Sequence, residues 1–420
     1  MLKSVKLKDI SKLIGSGITP LRSNELFWKD GAISWLKTEQ LGEFEIYETS
    51  EKISTHAIDE TSIKIFPINT LSIAMYGEGK TRGNVSILKK EMTTNQACCN
   101  IVLDPKKADY KYVYYFLKTQ YNQLRNLSSG VRKNLNSNDI KEFEVRIPEN
   151  IKDQERISSI LYNIDSKIEL NNKINAELEA MAKTIYDYWF VQFDFPNAKG
   201  KPYKTSGGKM VWNEELKREI PNEWTVDIIE KCCSIIDCLH SKKSNLVYED
   251  EQSYLLQLNN ILDNGLIDLT DKYYVTKAEY KKWTTRIEVI DGDIVITNAG
   301  RVAATAQIPI GVKAGIGRNI TAIRPVNIKP NYLFLSFSGA DIKRQIKLNT
   351  DSGAFFTSFN VKGIKKLQLL RANNNIEEQF EKLVLPIRRQ RELNNSANQK
   401  LAELRDWLLP MLMNGQVKVD

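Results

Sequence analysis

The sequence predicts an α+β protein in which two tandem, pseudo-symmetric α/β domains are separated by two long antiparallel helices that form a coiled coil. Three observations support this prediction: the chain repeats itself, each repeat contains a long run with helical apolar spacing, and short β-type segments precede each run. With 420 residues, of which 42% are hydrophobic, the chain is long enough for two or three domains that each bury a core.

The two halves of the chain match at an offset of 223 residues. Glu169-Leu-Asn-Asn172 falls on Glu392-Leu-Asn-Asn395, and the flanking apolar positions coincide as well. Farther upstream the offset drifts by a few residues, and there we expect Asn95 to correspond to Asn319. Such self-similarity indicates two copies of one unit, each a mixed segment followed by a long helix.

Each copy ends in a segment whose apolar residues recur every three or four positions. In the first copy these positions run from Ile157 to Ile185, which is the spacing of a coiled-coil seam. The second run contains Pro386, which should kink the helix or mark its first turn. Because neither helix can bury its apolar stripe alone, we expect the two helices to pair with each other.

Four asparagines lie at core-type positions in the middle of these helices. In an antiparallel pair, Asn171 would meet Asn398 and Asn175 would meet Asn394. Buried asparagine lowers the stability of a coiled coil but fixes the register of its helices. The alternative is that these side chains face solvent.

The mixed segments contain short β-branched runs that Gly, Asn and Pro interrupt, a pattern typical of strands and turns. The predicted strands include Ile63–Ile65, Thr70–Ala74, Val85–Leu88, Asp293–Thr297 and Thr321–Arg324. The predicted parts of the chain are a first globular domain (1–151), a first long helix (152–191), a connector (192–224), a second globular domain (225–374) and a second long helix (375–415). The connector is rich in turn formers and is predicted to lie on the surface.

Composition argues against several classes of protein. No apolar stretch approaches the roughly 18 residues of a membrane span, and the charged N-terminal segment does not resemble a signal peptide. We therefore expect a cytoplasmic protein without a membrane partner. Five cysteines in two tight groups suit a reducing compartment. The spacing of Cys233, Cys238 and His240 matches no common zinc module, so we interpret these residues as a buried cluster without a metal ion.

Catalytic motifs are incomplete or absent. Gly79-Lys80-Thr81 resembles the end of a phosphate-binding loop, but Ala74 stands where that motif requires glycine. The chain contains no Pro-Pro pair, which the Asp/Asn-Pro-Pro-aromatic tetrapeptide of an adenine methyltransferase requires. Glu288, Asp291 and Asp293 come nearest to a nuclease cluster, but an acidic turn before a strand explains them equally well. We expect no catalytic residue in this chain.

Basic loops that contain Gly or Asn recur at similar places in the two copies. Arginine can bind guanine edges or phosphates in a fork, asparagine can pair with adenine, and glycine lets the backbone approach a phosphate. The net charge of +8 also favours a polyanionic partner. Any one such loop is usually only a solvated turn, but the repeated positions favour double-stranded DNA. The predicted DNA contacts are Lys80, Arg82, Asn95, Arg132, Lys133, Arg301, Arg318 and Asn319.

Several stretches resemble the specificity subunit of type I restriction–modification enzymes. The most specific is the central segment Asp194-Phe-Pro-Asn-Ala-Lys-Gly-Lys-Pro-Tyr203, followed by Ser206-Gly-Gly-Lys-Met-Val-Trp-Asn-Glu-Glu-Leu216 and Ile220-Pro-Asn-Glu-Trp224. The helix ends Tyr186-Asp-Tyr-Trp-Phe-Val191 and Leu408-Leu-Pro-Met-Leu-Met-Asn-Gly415 are also similar to that family. The resemblance covers nearly the whole chain and is loose in the globular segments.

This resemblance implies a non-catalytic subunit whose two target-recognition domains each bind one half of a bipartite, asymmetric DNA target, with the helices as a spacer. It also implies two methyltransferase (modification) subunits that carry S-adenosylmethionine, and translocase/endonuclease (restriction) subunits that use ATP and Mg²⁺. No cofactor is expected in this chain, and the assembled complex would methylate adenine and cut DNA.

Apolar residues near the helix ends are predicted contacts to a methyltransferase subunit, although ordinary packing would explain them too. They are Tyr186, Trp189, Phe190, Trp407 and Met411. A different class of function also stays open, namely a coiled-coil interaction scaffold without sequence-specific DNA binding. Salt distinguishes the two functions, because binding to DNA phosphates weakens steeply as salt rises.

Overall fold

The computed structural model describes residues 2–77, 81–127, 135–240, 244–352 and 357–417. The chain divides into two compact units. The first unit contains residues 1–168 together with 400–420, and the second contains residues 169–399. Both units combine helices with strands, which confirms the α+β class.

The first unit contains a run of short strands and helices followed by the start of a long helix. Its strands are β1 (Leu2–Lys6), β2 (Ser11–Ser16), β3 (Ile33–Leu36), β4 (Glu45–Ile46), β5 (Glu51–Ile53), β6 (Leu71–Ala74), β7 (Val85–Leu88), β8 (Thr93–Thr94), β9 (Cys98–Leu103) and β10 (Glu144–Pro148). Its helices are α1 (Thr55–Asp59), α2 (Tyr110–Thr119), α3 (Tyr121–Asn126), α4 (Ser137–Glu142) and the first part of α5 (Ile151–Tyr186).

These strands form a five-stranded sheet of order β2-β9-β6-β7-β4, a three-stranded sheet of order β5-β3-β8, and the antiparallel pair β1-β10. Every residue of β6 and β7 is buried, as their apolar sequences require. Asp109 caps the N-terminus of helix α2, and its side chain accepts a hydrogen bond from Tyr112 N at 2.8 Å. Its tyrosine- and leucine-rich face joins the core beneath the larger sheet.

The second unit has a similar order of elements. Its strands are β11 (Met210–Asn213), β12 (Arg218–Pro221), β13 (Thr225–Ile228), β14 (Cys233–Asp237), β15 (Tyr254–Leu256), β16 (Tyr273–Tyr274), β17 (Ile294–Thr297), β18 (Thr305–Gln307), β19 (Gly315–Ile316), β20 (Ile320–Pro325), β21 (Asp351–Ser352), β22 (Thr357–Ser358) and β23 (Gln368–Arg371). Its helices are α6 (Ile229–Cys232), α7 (Lys277–Trp283), α8 (Pro330–Ser336), α9 (Ala340–Leu348), α10 (Val361–Lys365) and most of α11 (Asn374–Met413).

The sheets of the second unit repeat the arrangement of the first. A four-stranded sheet has the order β14-β20-β17-β18, a three-stranded sheet has the order β16-β15-β19, and β13 pairs with β23. One hydrogen bond recurs in both units: Tyr112 Oη donates to the carbonyl of Arg146 in β10, and Tyr332 Oη donates to that of Leu370 in β23. The duplication therefore extends to individual contacts.

The two long helices pair in antiparallel orientation, and buried asparagines join them within the second unit. Asn171 Nδ2 donates to Asn398 Oδ1 at 2.8 Å, and Asn394 Nδ2 donates to Asn175 Oδ1 at 2.9 Å. All four side chains are less than a tenth exposed. Both predicted asparagine pairs are confirmed, and the alternative that these residues face solvent is wrong.

Within the first unit, the same two helices meet through an ion pair. Arg405 Nη1 lies 2.8 Å from Asp165 Oδ1, and the other carboxylate oxygen of Asp165 accepts a hydrogen bond from Tyr115 Oη at 2.7 Å. Nearby, Leu161 of α5 and Leu412 of α11 belong to one apolar core. Residues that follow one another along α5 thus meet residues in reverse order along α11 in each unit.

Three predictions about local structure need correction. Helix α11 begins at Asn374, so Pro386 does not mark its first turn. Ile63–Ile65 is not a strand. The connector is folded rather than merely exposed: it contains the β11–β12 hairpin, and Phe195 stacks on Tyr203 and Trp224 at ring-centroid distances of 4.6 and 4.9 Å. Stacking of these aromatic residues removes apolar surface from water, which stabilises the connector.

Among the described residues, the helices are too polar or too short to cross a lipid bilayer.

Candidate nucleic-acid interface

Two loops lie side by side at the end of the three-stranded sheet in each unit, because parallel strands bring their carboxyl ends together. In the first unit, Asn95 N after β8 donates to Leu36 O of β3 at 2.9 Å. In the second unit, Gly317 N after β19 donates to Leu256 O of β15 at 2.8 Å. These bonds define equivalent positions in the two units.

The backbone register corrects the predicted match between Asn95 and Asn319. Asn95 and Gly317 make the same bond, so they are equivalent. Ala97 O accepts from Met75 N, and Asn319 O accepts from Asn298 N, each at 2.8 Å, so Ala97 is the partner of Asn319 in the repeat. The predicted equivalent of Asn95 is thus wrong by two positions. The error arises because the offset between the two copies drifts in this region, and sequence alone cannot place short insertions.

In the second unit these loops border an open cleft of about 560 Å³. Its floor contains the buried residues Leu255 and Trp283. Trp283 Nε1 donates to Ser244 Oγ at 2.7 Å, Ser244 Oγ donates to Glu279 at 2.6 Å, and Tyr273 Oη donates to Ser244 O at 2.6 Å. The polar groups of the floor are thus occupied by one another.

The rim of the cleft consists of Gln257, Asn259, Arg318 and Asn319. Arg318, Asn259 and Asn319 are exposed. Within the described part of the chain, Arg318 has no carboxylate within ion-pair distance. Asn319 adopts a positive φ of 62°, a conformation that asparagine tolerates better than most residues. The rim therefore presents amides and a guanidinium to solvent.

The equivalent surface of the first unit is charged and internally paired. Lys37 Nζ lies 2.7 Å from Glu39 and 2.8 Å from Glu51, and Arg22 Nη1 lies 2.5 Å from Glu51. Hydrogen bonds that Lys37 donates to Glu39 and Glu51 raise the pKa of Lys37, and the hydrogen bonds that Glu51 accepts from Arg22 and Lys37 lower the pKa of Glu51. The Arg22 guanidinium also lies 3.7 Å from the centroid of the Trp28 ring.

The predicted DNA contacts are distributed unevenly over these surfaces. Arg318 and Asn319 lie on the rim of the cleft, and Asn95 lies at the equivalent turn of the first unit. Arg82 is half-buried in the turn between β6 and β7. Lys80, Arg132 and Lys133 lie outside the described residues.

Arg301 serves its own domain. Its guanidinium pairs with Asp263 and donates to the carbonyls of Ile261 and of Leu258, the latter at 3.0 Å. These bonds hold the segment after β15 in place. A DNA phosphate or base would have to replace them, so the arrangement of Arg301 argues against the predicted contact.

Burial argues against three of the predicted partner contacts, because their side chains belong to the apolar core of the second unit. Tyr186, Trp189 and Phe190 are each less than a tenth exposed. The Phe190 ring lies 4.4 Å from that of Tyr332 and 4.9 Å from that of Phe380. Aromatic residues at a helix end suit a core and an interface equally well, so sequence could not separate the two.

Two other apolar surfaces remain exposed on the long helices. Trp407 is 63% exposed in the first unit, where Met411 is half-buried. In the second unit, Leu170, Ile174 and Met181 form an exposed stripe on α5. This stripe was not identified from the sequence, because the apolar pattern of α5 was assigned only to the coiled-coil seam. The stripe residues are spaced by four and seven positions, and this spacing indicates a second apolar face of the helix.

The acidic and cysteine clusters have local partners. Asp293 pairs with Arg324 at 2.5 Å, and Asp291 pairs with Arg388 at 2.6 Å. The side chains of Asp237, Cys238 and His240 place their ligand atoms within 4.8 Å of one another. His240 is exposed and lies 2.8 Å from Asp237, so the buried cluster predicted to include it is wrong in that respect.

Comparison with known proteins finds relatives that are similar to this chain in sequence and in structure. Residues 2–180 match the family described as type I restriction modification DNA specificity domain. The chain is 24% identical to the type I restriction enzyme MjaIX specificity subunit of Methanocaldococcus jannaschii, over 99% of this chain and 93% of that protein. It is 22% identical to the HindI specificity subunit of Haemophilus influenzae, over 69% of this chain and 72% of that protein.

A solved structure has the same fold. The crystal structure of the type I restriction–modification S subunit from M. genitalium superimposes with a TM-score of 0.54 and 18% sequence identity, covering 98% of this chain and 96% of that one. The chain is therefore similar to type I restriction–modification specificity subunits in sequence, and residues 2–180 carry the match to the DNA specificity domain of that family.

Proposed function

We propose that this chain recognises a bipartite, asymmetric sequence in double-stranded DNA, with each globular unit binding one half of the target. One observation carries the proposal: two copies of one backbone frame present different polar side chains at equivalent positions. Equal frames place each unit against DNA in a similar manner, and unequal side chains select different bases. Arg318, Asn319, Asn95 and Arg82 are the described residues proposed to contact DNA.

The long helices act as the spacer between the two halves of the target. Their buried asparagines support this role. In a shifted register, each buried amide would lose its hydrogen-bond partner and would be left unsatisfied. A shift by one residue would separate Asn171 from Asn398 and Asn175 from Asn394 together. The helical pair therefore favours one alignment over its neighbours.

The same helices dock two methyltransferase subunits through their exposed apolar residues. Trp407 is the strongest contact, because aromatic side chains that bury large areas dominate protein interfaces. Leu170, Ile174 and Met181 provide a second apolar surface. Together with restriction subunits, such a complex would act on DNA in the cytoplasm. S-adenosylmethionine, ATP and Mg²⁺ would bind to those partners, and this chain would contribute no catalytic group.

The decisive experiment is to express the chain with the methyltransferase subunits encoded beside it, purify the complex and map methylated adenines on genomic DNA. We expect methylation at a split, non-palindromic sequence, and DNA binding that falls by several orders of magnitude between low and moderate salt. A complex that forms normally but binds DNA without sequence preference would contradict the proposal and would favour the interaction scaffold.

Docking is tested with Trp407→Ala. The exposed side chain makes this variant fold normally, while co-purification of the methyltransferase subunit should decrease. Lys400→Ala, on the same helix, is the matched control and should leave co-purification unchanged. Equal recovery of the partner with both variants would exclude Trp407 from the interface.

A further inference from the structure

We propose that Gln257, Asn259 and Arg318 determine the base sequence of the half-target bound by the second unit, at the positions where the first unit carries Lys37, Glu39 and Gln96. The inference rests on the proposed DNA recognition and goes beyond it by assigning the residues that select bases. Gln257 and Asn259 lie outside every basic loop that the sequence singles out.

Equivalence of these positions follows from backbone hydrogen bonds. Leu36 and Leu256 each accept a bond from the loop after the neighbouring parallel strand, so Lys37 and Gln257 come next in each frame. A single 3₁₀ turn follows in both units, at Thr38–Gln40 and at Leu258–Asn260. Glu39 and Asn259 are the middle residues of those turns.

The cleft separates residues that hold the fold from residues that are available to a ligand. Trp283, Ser244 and Tyr273 are joined to one another by hydrogen bonds at the floor. Asn260, next to Asn259, is buried and donates to the carbonyls of Asp268 and Asp271. Asn259 itself is exposed, as is Arg318. The fold therefore uses Asn260 and leaves Asn259 for contacts outside the domain.

Glycine at position 317 brings the two loops of the rim together. A Cβ atom there would lie 2.6 Å from Gln257 Nε2 and 2.6 Å from Leu256 O, which are both too close for any side chain. The glycine thus lets the Gln257 amide lie against the backbone immediately before Arg318. One amide and one guanidinium consequently border the same cleft from adjacent loops.

These groups match particular base edges. A guanidinium can bind O6 and N7 of guanine in a fork, and a carboxamide can bind N6 and N7 of adenine. We therefore expect the second half-target to contain guanine and adenine at the positions that face the cleft. The first unit presents a carboxylate at Glu39, an amide at Gln96 and an ammonium group at Lys37 that is shared between two carboxylates, so its preference should differ.

The inference is tested by selecting bound duplexes from a random DNA pool, using the full chain in complex with its methyltransferase subunits. Arg318→Gln introduces the residue of the first unit, and Asn259→Ala removes the neighbouring amide. Each should reduce discrimination at one base pair of one half-target by roughly 5- to 150-fold, and the other half should stay unchanged. Lys313→Ala is the control, because Lys313 is exposed in the same unit but does not line the cleft.

The outcomes separate this inference from the proposed function. If the unaltered complex selects a split sequence and both variants select the same sequence as the control, the assignment of these residues is wrong and DNA recognition stands. If the unaltered complex selects no sequence, the proposed function itself fails. Thermal unfolding of each variant should match that of the parent, since both side chains are exposed; a variant with a lowered melting temperature would be replaced by Arg318→Lys or Asn259→Ser.

Discussion

In the first unit, the loop after β3 carries Lys37, which forms ion pairs with both Glu39 and Glu51; in the second, the loop after β15 carries Gln257 and Asn259 beside an open cleft. Underneath, the two units share the order of their strands, a tyrosine that bonds to the last strand, and the bond between adjacent loops. Backbone bonds keep the frame in place whatever side chains stand at its edge. The rim can therefore differ between copies without loss of the fold.

The largest effects should come from the residues that anchor the ends of the long helices. Phe190→Ala should destabilise the second unit by about 3–5 kcal/mol, because it leaves a cavity among Tyr332, Phe380 and Trp224. Met413, which stands at the offset of 223 from Phe190, is buried in the first unit, and Met413→Ala should cost about 2–5 kcal/mol. Urea denaturation with Trp407→Ala as the exposed control measures both; a small loss for either would break the equivalence of the two anchors.

Transplanting the rim tests the comparison directly. The triple variant Gln257→Lys, Asn259→Glu, Arg318→Gln gives the second unit the side chains of the first. Preference for the second half-target should fall by about 1–3 kcal/mol at each affected base pair, while the first half is retained. Methylation mapping would detect the change, and altered preference in both halves would mean that the two units do not act independently.

The asparagine pairs test how strongly the helices of the two copies depend on each other. Asn171→Leu should cost about 1–3 kcal/mol, because Asn398 Oδ1 loses its donor while staying buried. The double variant with Asn398→Leu should lose less than the sum of the two single variants, because it removes both polar partners. Additive losses in urea denaturation would show that the amides act separately.

The smallest expected effect is a response of the first unit to acid. Because Arg22 and Lys37 lower the pKa of Glu51 below its ordinary value near 4.5, their pairing stabilises the folded state above about pH 4.5 and is lost as the pH falls through the lowered pKa. The contribution of this partly exposed group should be a few tenths of a kcal/mol. Fluorescence of Trp28 and Trp35 would follow it, with Glu51→Gln as the control.

In the second unit, Tyr273 stands at the position equivalent to Glu51. Strand pairing defines this equivalence, because Glu51 pairs with Trp35 in the first unit and Tyr273 pairs with Leu255 in the second. The second unit should therefore show no counterpart of this titration. An equal acid response after Glu51→Gln would assign the effect to other carboxylates.

Sequence periodicity predicted the duplication, both long helices, the antiparallel pairing and the two asparagine pairs, because these depend on spacing along the chain. The structure places the predicted DNA contacts in different environments. Arg318 lies on the rim, whereas Arg301 is bound by Asp263 and two carbonyls of its own domain. Both residues follow a glycine in a basic loop, so local sequence treats them alike.

What the sequence determined by itself was the repeat and the apolar seam, since both are written in residue spacing and need no knowledge of distant partners. Tertiary structure decided which polar groups remain available. Gln257 meets Gly317 across 60 residues, and Phe190 meets Phe380 across 190 residues. Such contacts form only when strands and helices pack against each other. These contacts decide which side chains complete the core and which side chains face a ligand.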